Sequence, residues 1–430
     1  MRMTFMLPAL LVAVSYSAAP FARGADRQPL TLAQALQRTL QHDATLQTFP
    51  YQLRMAEAAQ LQAAVTPNPE LAVTLENVAG TGDSPGLSGA ELSLSLSQQI
   101  ELGQKRERRL DLALNQSQLQ RDNYELARLD ALANTTGHYL QLLRLQQLQL
   151  WASAKISREQ TLLNTAQLRS NAGTLLDADI SRIKLRLVRS KIAQADINQA
   201  TESQRYRLAA SWQAVPDFTQ VNGELAVLPQ LPPLSILQSQ LQRSATLQRF
   251  VTLQRIAQSQ LRLTEANSKA DMRWSAGLKR DQASNETSLL LGVSLPLNLT
   301  DPNQGQRRAQ LAEQQLLATQ QQLSATQLTL LLQQQWLSLQ QLRDTVQAIE
   351  TLLLPEAKAL RQLSLHGYQQ GQIDLLNVLS AEEELAQAER ELIESQSTFH
   401  LNLLQLERLT GQPLTLDSTK PVITVEKQHD

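Results

Sequence analysis

Hydrophobic spacing along this chain switches period at one kind of join, and the join occurs twice. Within residues 90–109, AELSLSLSQQIELGQKRERR, Leu92, Leu94 and Leu96 alternate with Ser93, Ser95 and Ser97. That pattern predicts a strand with one apolar and one polar face. After Gly103 the residues become charged and follow helical spacing, so a strand is expected to feed a very long helix. Leu289, Leu291, Val293 and Leu295 alternate in the same way with Ser288, Gly292 and Ser294, apart from Leu290. Their run leads into Gly305-Gln306-Arg307-Arg308, an echo of Gly103-Gln104-Lys105-Arg106.

In chain order, Leu32, Leu36 and Leu40 open a helix expected over residues 32–64, stopped by Pro67-Asn68-Pro69. Leu71, Val73 and Leu75 make a strand, and the turn-rich 80–89 joins it to the Leu92 strand as a hairpin. A helix from about 103 to 170 carries Leu112, Leu119, Leu126, Ala133 and Leu140 at intervals of seven, which fits coiled-coil packing. Asn171-Ala172-Gly173 breaks it, and a return helix runs over about 175–212. Pro216, Pro229, Pro232 and Pro233 mark a connection, after which the plan restarts. Residues 36–49 match 237–250 at an offset of 201, with nine of fourteen positions identical. A second hairpin follows, with Met272, Trp274, Ala276 and Leu278 on one face, then a helix from about 306 towards 366 with Leu311, Ala318, Ala325, Leu332, Leu339 and Val346 at sevens. Gly367 and Gly371 punctuate a turn, and the last helix ends near Gly411, a C-cap.

The expected organisation is therefore a signal peptide over 1–24, a first repeat over 25–213 with its hairpin at 70–98, and a linker over 214–233. A second repeat spans 234–411 with its hairpin at 271–297, and a tail spans 412–430. The signal peptide rests on Arg2, an apolar run from Phe5 to Val14 and small residues allowing cleavage after Ala19 or Gly24. That run is about half the roughly 20 residues a spanning helix needs; the alternative is a buried N-terminal helix. With 15 Gly, 16 Pro and 4% aromatic residues, the 430-residue chain favours long helices over a bulky core. A net charge of −1 leaves no basic footprint for nucleic acid. The absence of cysteine excludes disulfides, thiolate metal sites and an N-terminal lipid on cysteine. No later segment is apolar for 18 consecutive residues, so any entry into a membrane must be by strands.

Four strands cannot close a barrel, and open sheet edges are not tolerated in lipid. The fold expected is mainly α with a membrane β-barrel contribution, four strands from each protomer. Three copies would supply about twelve strands around a lumen, with helices extending about 100 Å below. A soluble helical scaffold would explain the heptads but not the matched alternating strands.

The duplication, the two hairpins and two G-x5-[D/N] turns, Gly173 to Asp179 and Gly371 to Asn377, resemble the TolC-like outer-membrane efflux proteins over essentially the whole mature chain. Pro67-Asn-Pro-Glu-Leu71, Leu75-Glu-Asn77 and Leu96-Ser-Gln-Gln-Ile-Glu-Leu-Gly-Gln-Lys-Arg106 resemble its cobalt-zinc-cadmium resistance (CzcC-like) branch. The resemblance implies a homotrimer with a 12-strand barrel in outer-membrane lipid and a long periplasmic α-helical barrel. It also implies docking to a periplasmic adaptor (membrane fusion protein) and an inner-membrane proton-driven transporter of the resistance-nodulation-division (RND) type, with no cofactor.

By the same resemblance, the turns at Gly173 and Gly371 form the periplasmic entrance, where Asp177, Asp179 and Asp374 are presented as rings and Asn377 and Ser380 stand where some relatives carry acids. Carboxylate rings in a constriction favour cations. A local role is the alternative: Thr174-x-x-Asp177 resembles a capping box, and acids in a helix's first turn are stabilised by its dipole. The five histidines show no paired or HExxH spacing, so no metal site is expected, and no nucleophile elbow, P-loop or dinucleotide fingerprint suggests catalysis. Glu382-Glu383-Glu384 reads as a solvated helix face with Arg390 available for pairing. Lys105, Arg106, Arg108, Arg109, Arg307 and Arg308 read either as a polar boundary below the lipid or as ordinary helix charge. The expected function is a passive exit duct of a tripartite RND-type efflux system for heavy-metal cations. The alternatives are a duct for drugs or type I protein secretion, and a periplasmic coiled-coil adaptor or scaffold without a barrel.

Overall fold

The structure is a computed structural model that describes residues 29–82, 85–171 and 176–413. The expected signal peptide, Gly173, Thr174 and the chain beyond 413 lie outside the described residues.

Helix α1 spans Leu32–His42 and α2 spans Ala44–Ala63. The single helix expected here is two, because Asp43 adopts an extended backbone (ψ 131°), ends α1 and caps α2 by accepting from the N–H groups of Thr45 and Leu46. Thr31 and Gln34 form a reciprocal capping box at the start of α1. Strands β1 (Glu70–Glu76) and β2 (Glu91–Ile100) follow, then α3 (Lys105–Asn171), whose 67 residues span about 100 Å. Helix α4 (Asp177–Ala210) runs back beside it.

The second half gives α5 (Leu234–Leu241), α6 (Ala245–Asn267), β3 (Met272–Asp281), β4 (Glu286–Ser294), α7 (Gln304–Ala348), α8 (Leu354–Gln369) and α9 (Leu375–Thr410). The expected unbroken helix from 306 carries a π turn at Ile349–Leu353, with Leu354 between it and Pro355. A wider turn and, two residues on, a residue without an N–H make this a built interruption. Gly367 lies inside α8 rather than in the turn, and a Cβ there would sit 2.6 Å from Ile373 Cδ1. The turn itself is made by Gly371 at φ 77°, where glycine avoids the cost other residues meet.

The four strands form one antiparallel sheet in the order β1-β2-β3-β4, so the two hairpins pair through β2 and β3. Register places Val73 opposite Leu94, Leu94 opposite Leu278, and Leu278 opposite Leu289. Because side chains alternate across a strand, these rows give one continuous apolar face; Ala72, Ser95, Gly277 and Leu290 form a row on the other. The apolar face is bare, with Val73 66% and Leu291 76% exposed. Both outer edges, on β1 and β4, lack a strand partner among the described residues.

Below the sheet the helices bury three main cores. Leu30, Tyr139, Leu142, Leu208, Trp212 and Phe218 gather where the first half folds back on α3. Leu237, Leu332, Leu339, Phe399, Leu403 and Leu406 do the same in the second half, and Leu162, Ile183, Tyr368 and Val378 close the far end. Each fully buried leucine or phenylalanine contributes about 1.5–3 kcal/mol. The α7 stripe is exposed at Leu311 and fully buried at Leu332, Leu339 and Val346, so its upper end lacks a neighbour within the protomer.

Candidate functional site

The end of the molecule opposite the sheet consists of two helix hairpin tips. At the first, Asp177 opens α4 and is exposed; the N-cap is Leu176, which makes no side-chain capping bond. The capping box expected from Thr174 lies outside the described residues, and Asp177 occupies the first turn, where the helix dipole favours its charge. Asp179 pairs with Arg182 at 3.2 Å. At the second tip Asp374 is a true N-cap: its Oδ1 accepts from the Asn377 N–H at 3.0 Å and from Asn377 Nδ2 at 2.9 Å. Asn377 is thereby occupied in local bonding. Gln372 and Ile373 both donate backbone N–H groups to the Gly367 carbonyl, which fixes the turn around Gly371.

The tips are held to each other. Arg169, in the last turn of α3, donates to the Gln369 carbonyl at 2.8 Å and lies over the Tyr368 ring at 4.4 Å. Leu176 and Leu376, one at each tip, are 73% and 56% exposed.

A chain of ion pairs joins α3 and α4 to α8 and α9, and sequence reading missed it. Glu382, expected on a solvated face, is buried, with Arg361 at 2.6 Å and Arg158 at 3.4 Å. Arg158 also reaches Glu389 at 2.7 Å, Lys155 and Arg186 both reach Glu383, and Arg144 holds Glu394 at 2.8 Å. Arg390 pairs with none of the acidic run; it stacks over Trp151. The available signal was the acid spacing 382, 389 on one helix against basic residues on another, visible only once α3 and α9 are neighbours.

At the strand-to-helix join, Lys105 is buried and bound to Asp271 at 2.6 Å, which also accepts from the Leu102 N–H and from Gln99. Arg109 is paired with Glu101. These two basic residues are therefore structural ties as well as charge beside the sheet. Further down the helical body, burial pushes the Tyr139 hydroxyl up to about 12 while it donates to the Leu30 carbonyl, and burial pushes the His138 and His400 rings down.

Among the described residues no cluster of three His, Asp or Glu side chains is arranged to hold a metal ion, and no helix is long and apolar enough to cross a membrane. A membrane can be spanned here by the sheet, whose bare apolar face and polar reverse suit a wall between lipid and water.

Residues 35–212 match the family of outer membrane efflux proteins. Over 96% of this chain and 99% of that one, the fold superimposes on the channel protein CusC with a TM-score of 0.74 at 14% identity. It also superimposes on the outer membrane protein VceC of Vibrio cholerae, with a TM-score of 0.72 at 19% identity over 89% of this chain and 96% of that one. The fold is thus that of the TolC-like outer-membrane channels, and the match to the efflux-protein family covers most of the first half of the chain. Among individual proteins the chain is similar to the cobalt-zinc-cadmium resistance protein CzcC of Cupriavidus metallidurans, with 26% identity over 366 residues, 84% of this chain and 85% of that protein. A barrel-less periplasmic scaffold is set aside.

Proposed function

We propose that three copies of this chain close a single exit duct for heavy-metal cations, docked to a periplasmic adaptor and an inner-membrane RND transporter. The observation that carries the assembly is the four-stranded sheet with one continuous apolar face and two unpaired edges. Lipid offers no partner for those edge groups, so only further copies complete the wall. Three sheets supply about twelve strands, within the range of outer-membrane barrels. The chain is read as a signal peptide over 1–24, repeats over 25–213 and 234–411, a linker over 214–233 and a tail over 412–430.

The hairpin tips are the duct's gate. Asp177 is exposed, so three copies would present it as a carboxylate ring; Asp179 and Asp374 add charge, while Asn377 is neutral and held by Asp374. Gly371 makes the turn at the second tip. Rings of this kind favour cations, and the similarity to CzcC over most of both chains supports a metal cargo. In reconstituted trimers Asp179→Ala is expected to raise ion leak; unchanged conductance assigns Asp179 to its pair with Arg182. A deletion strain is expected to grow poorly on zinc, cobalt or cadmium. Sensitivity to organic toxicants alone would replace the metal assignment with a drug duct, and loss of a secreted polypeptide would replace it with type I secretion.

A further inference from the structure

The second half of the chain records how two copies meet. Helices α3 and α8 end at Asn171 and Gln369, and α4 and α9 begin at Asp177 and Leu375. Both offsets are 198 (369 − 171 and 375 − 177), so near the tips each residue of the first hairpin has a counterpart 198 positions later. Inside the protomer α3 lies against α9, and there Arg158 holds Glu382 and Glu389. The counterpart of Arg158 is Glu356 on α8, and the counterparts of Glu382 and Glu389 are Lys184 and Lys191 on α4. The pattern returns with every sign inverted. Glu356, Lys184 and Lys191 are exposed, and none has an ion-pair partner among the described residues. The neighbouring Lys155–Glu383 pair maps onto Leu353 and Leu185, two exposed leucines 42% and 60% accessible.

Nearer the sheet the same asymmetry appears in burial. Helix α6 lies between α3 and α7, and Thr252, Ser259 and Ala266 are buried there. At the offset of 201 their counterparts are Tyr51 and Ala58 on α2 and Val65 just beyond its end, all exposed. A face covered in one repeat is bare in the other.

We propose that α8 of one copy packs against α4 of the next copy in the register of the internal α3–α9 contact, with Glu356 between Lys184 and Lys191 of that neighbour. The partner is a second copy of this chain, and the inference rests on the trimeric reading above. Exposed ion pairs contribute little to stability, so their work here is selection. If α3 took another copy's α4, Arg158 would face Lys184 and Lys191. If α8 took another copy's α9, Glu356 would face Glu382 and Glu389. Like charges oppose both errors, so contacts within and between copies must alternate around the ring.

The chain has no cysteine, so introduced pairs report cleanly. With Leu353→Cys and Leu185→Cys in one chain, a short bismaleimide added to outer-membrane vesicles is expected to yield covalent trimer. The control Leu353→Cys with Ile192→Cys, two turns away along α4, is expected to yield little. Adding Glu356→Lys to the first pair is expected to lower its cross-link yield about five-fold, and adding Lys184→Glu and Lys191→Glu with it is expected to restore the yield. Restoration separates a charge effect from misfolding. Trimers by size whose cross-links favour the control pair, or whose yield ignores Glu356→Lys, overturn the proposed seam and leave the trimer standing. Monomers in detergent overturn both.

Discussion

The Lys105 ammonium lies 2.6 Å from Oδ1 of Asp271, tying the first residue of α3 to the residue just ahead of β3 in the other half of the chain. Lys105 is buried and the Asp271 side chain is 20% exposed, so the pair sits where water screens it poorly. The joint couples sheet and helical body, the two parts that must stay aligned for one continuous duct.

Removing one partner leaves the other charge buried. Asp271→Asn is expected to destabilise the joint by about 1.5–3 kcal/mol, read as a lower temperature for heat dissociation of the purified assembly. The pH dependence has a definite sign. Burial alone would push the Asp271 carboxyl up, but hydrogen bonds from Lys105, the Leu102 N–H and Gln99 outweigh it and hold the carboxyl below its ordinary value. A depressed carboxylate contributes stability that is present above its unfolded pKa of about 3.9 and is lost as pH falls through the folded value. Asp271→Asn should therefore narrow the gap to wild type only in strong acid.

Two glycines in left-handed conformation separate backbone strain from crowding. At Gly371, φ 77°, a Cβ would meet nothing within 4 Å; at Gly103, φ 79°, it would lie 2.6 Å from Lys269 Cδ and 3.3 Å from the Ala266 carbonyl oxygen. Gly371→Ala is expected to cost about 1–2 kcal/mol from conformation alone. Gly103→Ala is expected to cost more, because Lys269 must also move, and the order is checked by thermal melts of the two variants side by side.

His400 and His138 make the helical body acid-sensitive. Burial lowers both, with Arg207 adding to the effect at His138, and His400 also contacts the Leu225 carbonyl. When the folded pKa is depressed, the unfolded chain takes up protons that the folded one refuses. Stability is therefore expected to fall as pH drops below the unfolded value of about 6.5 and to level off below the folded one. His400→Gln with His138→Gln should flatten the profile between about pH 7 and 5, measured by chemical denaturation at fixed ionic strength.

The strands were legible in the sequence because a period of two survives any environment: Leu92, Leu94 and Leu96 share a face in any strand. The long helices were legible through their heptads. The break at Asp43 was hidden by an otherwise continuous helical pattern, although an aspartate that caps the following turn is the kind of residue that divides one. The role of Glu382 was not legible, since a charged run on a helix looks solvated until Arg158 and Arg361 arrive from two other helices. At the tips, both the cap that Asp374 makes to Asn377 and the Arg169 contact with Tyr368 became visible only in the fold.

The two sheet faces make opposite predictions for neighbouring residues. Leu94 sits mid-strand on the apolar face between Val73 and Leu278, and Ser95 sits on the polar face between Ala72 and Gly277. If the apolar face meets lipid, Leu94→Arg places a guanidinium near the middle of the hydrocarbon and is expected to cost about 2–4 kcal/mol. Ser95→Arg keeps its charge in the aqueous lumen, so folding is expected to survive while single-channel conductance falls and anions gain access. Folding into vesicles from urea measures the first effect, and planar-bilayer recording measures the second. Equal folding cost at both positions would mean that the two faces do not divide lipid from water, and the sheet would have to be placed elsewhere in the assembly.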